Sequence, residues 1–147
     1  MQLSKFSDYA LRTLMHLAVA EDNVLTTRQI AAIHDAKYNH LTKVTQWLAR
    51  EGYVTSIRGR TGGIRLARPM EDISVGDVVR RLESQTELVE CMRADGGACI
   101  LSPCCGLTGA LAKAQSAFFE VLDGYTLADI SGGDSRMRKL LASLNAA

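Results

Sequence analysis

Four cysteines, Cys91, Cys99, Cys104 and Cys105, fall within fifteen residues, on a segment that also holds Gly96 and Gly97. Soft thiolates this close in sequence are able to converge on one soft metal centre. Hydrophobic cores do bury cysteines, but they do not usually collect four of them on a polar, glycine-rich loop. Structural zinc sites favour Cys-x-x-Cys elbows, whereas the gaps here are seven residues and then four or five. An iron–sulfur cluster is larger than a single ion, and its ligands must spread around it, so wider gaps suit it. Spacing therefore favours a cluster, with a zinc staple and plain buried thiols as the alternatives. A thiol oxidoreductase is disfavoured, because no Cys-x-x-Cys is present and no histidine or carboxylate pattern accompanies a nucleophile. His16, His34 and His40 are spread over three expected helices and read as core or DNA-facing residues. An enzyme is not expected.

A second chemistry is electrostatic. The chain carries 17 Lys and Arg against 16 Asp and Glu, a net charge of +1. Between Lys37 and Arg68, however, seven basic residues face the single acid Glu51, so this stretch carries +6 and the remainder −5. A basic stretch of this kind fits a nucleic-acid face, provided the fold presents it on one side.

The elements that must position these groups are legible as periodicities. Ser7 is a candidate cap for a helix over Asp8 to Ala20, with Leu11, Leu14, Leu17 and Ala18 on one face. Thr26 and Gln29 form a capping-box pattern for a second helix reaching His34. A turn at Asp35 to Tyr38 leads to a third helix over about Asn39 to Glu51, ended by Gly52. Tyr53 to Arg58 and Ile64 to Leu66 read as two strands joined by Gly59-Arg60-Thr61-Gly62-Gly63. Three helices and a basic hairpin make a winged helix-turn-helix, in which the small Ala31 lets the second and third helices cross closely.

The polar face of the third helix carries Asn39, His40, Thr42, Lys43 and Gln46, groups able to hydrogen-bond base edges. Arg50 and the wing residues Arg58, Arg60 and Arg65 are placed to meet phosphate or the minor groove, with Thr27 and Arg28 at the head of the second helix. Double-stranded DNA is the expected partner.

After a short helix over Ile73 to Leu82 and the cysteine loop, Leu107, Leu111, Ala114, Phe118 and Val121 recur at steps of four, three, four and three. That is a heptad seam on a long helix, and it points to a homodimer. Thr126 to Asp129 then opens a final short helix. The expected fold class is mainly α with a small β-hairpin wing, and the expected divisions are a DNA-binding domain over 1–82, a cluster loop over 83–105, and a dimerisation helix with C-terminal tail over 106–147.

At 147 residues, 47% hydrophobic and 22% charged, the chain excludes a disordered tail or a fibrous protein. Its apolar runs fall well short of the roughly 20 residues of a membrane span, and no secretory signal pattern is evident, so a cytoplasmic location and no membrane partner are expected.

Four segments together carry a resemblance over nearly the whole chain. They are Leu3 to Arg12 (LSKFSDYALR), Gly52 to Leu66 (GYVTSIRGRTGGIRL), Ile73 to Val79 (ISVGDVV) and the cysteine loop. The sequence resembles the winged-helix iron–sulfur regulators of bacteria. Phe6-Ser-Asp8 and Asn39-His40 lean to the nitric-oxide-sensitive NsrR branch, while Cys105-Gly-Leu107, Ala117 to Leu122 and Gly124-Tyr-Thr126 also resemble the iron-responsive RirA branch. The resemblance implies a repressor whose cluster, 4Fe-4S rather than 2Fe-2S, senses nitric oxide, or iron on the RirA-like reading. It also implies Cys91, Cys99 and Cys105 as ligands, since five residues separate the last two family cysteines, and it leaves Cys104 as an extra thiol. The IscR branch has a histidine three residues after the last cysteine, where this chain has Thr108. Asp8 matches the position from which NsrR-type proteins supply a carboxylate across the dimer, although the macrodipole favours an acid in the first turn of any helix.

Overall fold

The computed structural model describes residues 2–20, 24–59, 62–84, 87–131 and 135–145. Helix α1 (Lys5–Val19) begins one turn earlier than its periodicity predicts. Ser4, not Ser7, is the N-cap: its side chain accepts the Ser7 amide, while Ser7 itself is buried inside the helix. Helix α2 (Thr27–Ile33) carries the expected Thr26–Gln29 capping box. Asp35 then takes a left-handed conformation at φ 48°, which Asp tolerates better than most residues, and the Ala36 amide reaches back to the Ala31 carbonyl at 2.9 Å. Helix α3 (Tyr38–Arg50) follows and stops at Gly52, φ 75°.

Strands β1 (Val54–Ile57) and β2 (Gly63–Leu66) pair antiparallel, from Val54 opposite Leu66 to Ile57 opposite Gly63. β1 is shorter than the run that predicts it, and β2 begins one residue earlier, at Gly63. A further rung comes from Leu25, which exchanges both backbone hydrogen bonds with Ile64 at 2.8 and 3.1 Å. A Cβ at Gly63 would stand 2.5 Å from the Leu25 carbonyl oxygen, so only glycine lets this rung close. The wing is thereby sewn to the segment before α2.

One core joins these elements: Leu14 and Leu17 from α1, Ile30 and Ala31 from α2, Leu41, Val44 and Leu48 from α3, with Tyr53 and Ile64 from the hairpin region. Helix α4 (Val75–Leu82) adds Val78, and α6 (Leu127–Ser131) adds Leu127. The return of α6 is held by backbone bonds, Val75 donating to Tyr125 and Leu127 to Ile73. Between them, α5 (Gly106–Asp123) runs for 18 residues without burying one. It leans on α4 where Asp123 accepts both guanidinium nitrogens of Arg80, at 2.6 and 3.1 Å, and where Arg80 covers the Phe119 ring at 4.9 Å. A last helix, α7 (Ser135–Asn145), lies where a tail is expected. It docks on α1 and α2 through buried Leu141, and its Met137, Leu141 and Leu144 at steps of four and three were the available signal.

Two titratable groups, one buried and one half-buried, give the fold a pH dependence. His16 on α1 is fully buried and meets the His34 ring edge-on at 5.4 Å. Burial first, and the neighbouring His34 second, lower its pKa to about 4. The unfolded chain therefore takes up a proton near pH 6.5 that the folded chain refuses until about 4. Stability is intact above pH 6.5 and falls as the pH drops from there toward 4, at up to about 1.4 kcal/mol per pH unit. A Tm profile over that range should show the loss, and His16→Gln should flatten it.

The second group is Asp77, which accepts the buried Tyr53 hydroxyl at 2.6 Å and the Arg81 Nε at 2.9 Å. Burial opposes its ionisation, but those two bonds and the charges of Arg81 and Arg68 outweigh it and hold the carboxyl below its ordinary range. Tyr53→Phe should cost about 1 to 3 kcal/mol, read by urea unfolding, because it takes a donor from a charged acceptor.

Candidate functional site

The chain from Glu87 to Cys105 is loop punctuated by two 3-10 turns, Glu90–Met92 and Ser102–Cys104. Gly96 and Gly97 turn it back on itself at φ 75° and 60°. Glu90 closes the loop. Its carboxylate accepts the Ala98 amide at 3.0 Å, and Gly97 packs so tightly on it that a Cβ would stand 2.7 Å from the Glu90 carbonyl oxygen. Because Glu90 precedes Cys91 and Ala98 precedes Cys99, this one bond registers the two cysteines. Glu90 was missed as a functional residue, and only its adjacency to Cys91 could have drawn attention to it.

The result is a cavity of about 230 Å³ whose lining includes Cys91, Cys99 and Cys105, with Val89, Leu101, Leu107 and Thr108 among them. Cys104 does not line it; its thiol is exposed and donates to the Leu101 carbonyl at 3.6 Å. Cys105 is the N-cap of α5, and the Leu107 and Thr108 amides there favour its thiolate, lowering its pKa. The Cys91 sulfur lies 3.2 Å from the Thr108 hydroxyl. Among the described residues, no three His, Cys, Asp or Glu side chains gather closely enough to hold a single metal ion. The three thiols stand instead around a space several times a water molecule's share of about 30 Å³. That donor set fits a larger, soft, thiolate-bound group.

Asp8 lies elsewhere. It sits in the first turn of α1, paired with Arg12 at 2.9 Å, and both side chains are partly exposed. It does not line the cysteine cavity of its own chain.

On α3, buried Leu41, Val44, Thr45 and Leu48 fix the helix to the core and leave Asn39, Lys43, Gln46 and Arg50 exposed. Arg50 donates to Glu51 at 3.2 Å. His40 is half-buried against α1, its ring 5.4 Å from Tyr9 and 6.0 Å from Phe6. The half-buried Thr42 donates its hydroxyl to the Tyr38 carbonyl of its own helix. Thr27 is half-buried in the first turn of α2, while the Arg28 guanidinium covers the Tyr38 ring at 4.9 Å and ties the heads of α2 and α3 together. On the wing, Arg58 and Arg65 are exposed, and Arg60 lies outside the described residues. Arg68 is structural: it covers the Tyr53 ring at 4.7 Å and donates to the Gly52 and Glu51 carbonyls at the end of α3.

The model of the Rrf2 family, described as an iron-dependent transcriptional regulator, matches residues 3–132. The chain belongs to the Rrf2 family. It is 46% identical over 143 residues to the HTH-type transcriptional regulator NsrR of Bacillus licheniformis, spanning 97% of this chain and all of that one. It is 44% identical over 142 residues to the NsrR of Halalkalibacterium halodurans, covering 96% and 97% of the two chains. Among solved structures, IscR of T. potens superposes with a TM-score of 0.70 at 27% identity over 88% of this chain and 85% of that one. This Rrf2 protein is therefore an NsrR-like transcriptional regulator with a winged-helix fold, not an enzyme. Among its described residues no helix is long and apolar enough to cross a membrane.

Proposed function

We propose that the protein is a cytoplasmic, homodimeric repressor that binds operator DNA and holds an iron–sulfur cluster, 4Fe-4S in type, through Cys91, Cys99 and Cys105, with nitric oxide as its signal. The observation that carries this reading is that three cysteines separated by seven and five residues line one cavity at the head of α5. Its relatives supply the context, since the family model is described as iron-dependent and the curated relatives are named NsrR.

Each residue has a part. Cys105, favoured as thiolate at the start of α5, ties the bound group to that helix, and Glu90 keeps Cys91 and Cys99 in register. Asp8 of the partner subunit supplies a fourth ligand, harder than thiolate and more weakly held. When bound, the cluster supplies an iron open to a small molecule at that weak position. The dimer forms along α5, where Leu107 and Val121 are 60% and 63% exposed and no residue is buried by the chain itself. Dimerisation places two α3 helices on two half-sites about one DNA turn apart. Of the divisions 1–82, 83–105 and 106–147, the first reads DNA, the second holds the cluster and α5 of the third pairs, while α6 and α7 of the third pack back on the first.

In the DNA complex Asn39, Thr42, Lys43 and His40 approach base edges from α3, with Thr27 and Arg28 beside them. Arg50, Arg58, Arg60 and Arg65 meet the backbone or minor groove. Arg65→Ala should weaken operator and unrelated DNA alike and reduce the log-log salt slope by about 0.9, the value for one phosphate contact. An unchanged slope removes Arg65 from the contact set.

The whole reading is tested with anaerobically purified protein, recording its visible spectrum and its operator affinity before and after nitric oxide, oxygen and an iron chelator. The expected result is a coloured protein that releases the operator on nitric oxide. A response to the chelator alone replaces nitric oxide by iron as the signal. Colourless protein with stoichiometric zinc overturns the cluster.

A further inference from the structure

Glu83 is the C-cap residue of α4, the end at which a helix macrodipole disfavours a carboxylate. Its Oε1 accepts the Ser4 backbone amide at 2.9 Å and the Ser7 hydroxyl at 2.5 Å. Ser4 is the N-cap of α1, and Ser7 is fully buried one turn further on. One carboxylate thus ties the negative end of α4 to the positive end of α1, with bonds of the stronger, charge-assisted kind.

That same stretch of α1 supports the recognition helix from a different face. Phe6 and Tyr9 flank His40 of α3, and Phe6 also meets Trp47 edge-on at 6.3 Å. On the other side, Glu83 lines a cavity of about 250 Å³ between α4 and α5 whose wall includes Met92, the neighbour of Cys91. The end of α4, the first turns of α1 and the recognition helix are therefore joined by contacts, and the cysteine loop faces the first of them, Glu83, across the cavity whose wall Met92 shares.

We infer that Glu83 is a positioning residue that couples the cysteine loop to the recognition helix through the first two turns of α1. The inference rests on the proposed role of the cysteine loop as the signal site. A change in the loop at Cys91 and Met92 alters the cavity that Met92 and Glu83 line, and Glu83 passes it to Ser4 and Ser7. The first turns of α1 then carry it to His40 and Trp47. Asp8 lies within those turns, so the same clamp sets where its carboxylate points.

The test is backbone amide exchange on the full-length protein, with and without its cluster, together with operator affinity, for wild type, Glu83→Ala and Glu83→Gln. Glu83→Ala should speed exchange at residues 8–11 of α1 and also at 41–45 of α3, and should weaken operator binding by about tenfold, within the usual range of coupling between sites. Glu83→Gln keeps an oxygen that accepts both bonds and should stay near wild type. Faster exchange confined to α1, with α3 and operator affinity unchanged, overturns the inference and leaves the clamp as a purely structural contact. If Glu83→Ala loosens every segment, Ser7→Ala, which removes only one of the two bonds, makes the same comparison. Wild-type protein that binds the operator equally well with and without its cluster overturns the sensor reading instead, and the exchange pattern still decides whether Glu83 reaches α3.

Discussion

Anaerobic protein carrying Cys91→Ala, Cys99→Ala or Cys105→Ala is expected to lose its visible absorption entirely, whereas Cys104→Ala keeps it. The first three side chains share the lining of one cavity, and the fourth is outside it with its thiol turned to the Leu101 carbonyl. None of the four is buried, so each replacement costs little packing and helical circular dichroism should be unchanged. The Cys105 variant should also lose the anchor to α5, because Cys105 is that helix's first flanking residue. Operator binding in the three colourless variants is expected to match that of nitric-oxide-treated wild type. A colourless Cys104 variant beside a coloured Cys105 variant would show that the two adjacent thiols have exchanged roles.

Gly76→Ala should be strongly destabilising for the addition of a single methyl group. A Cβ there would stand 2.6 Å from the Asp123 backbone nitrogen and 2.9 Å from its Cα, besides meeting the carboxylate. These are main-chain atoms at the end of α5 and cannot swing aside, so the two helices must separate. Overpacking of this kind costs about 1 to 3 kcal/mol, and separation also strains the Arg80–Asp123 pair at 2.6 Å. Thermal denaturation should show Tm falling by several degrees, and sedimentation should show weaker self-association, because α5 would no longer be held at its C-terminal end. Gly109→Ala is the control. Nothing lies within 4 Å of its Cβ position, so at this helical position, near the start of α5, it should leave the fold neutral or up to about 1 kcal/mol more stable. Equal Tm values for Gly76→Ala and wild type would mean that α4 and α5 are not held together at this contact.

Much of the winged helix was legible because its signals are local. The Thr26–Gln29 box, the left-handed residues Asp35 and Gly52, and the repeats of Leu41, Val44 and Leu48 each act within a turn or two of chain. The start of α1 was misread for the opposite reason. Ser4 and Ser7 are equally good caps by type, and what separates them is that Glu83, 76 residues beyond Ser7, takes the Ser7 hydroxyl. Helix α7 was read as a tail because its apolar face is short, and it holds in place mainly by burying Leu141 against other elements.

The chemistry divides along the same line. Residue types and spacing determined that four soft thiols lie on one loop, that a basic face follows α2, and that a heptad seam runs along α5, since each is a property of neighbours in sequence. Only the tertiary structure decided that Cys91, Cys99 and Cys105 share a cavity while Cys104 turns away, that Glu90 sets their register, and that Arg68 serves the end of α3. It also decided that His40 leans on α1 and that Glu83 joins two helix ends. These depend on where a side chain is aimed once distant segments pack, and directions in space are not encoded in the spacing of residues along a chain.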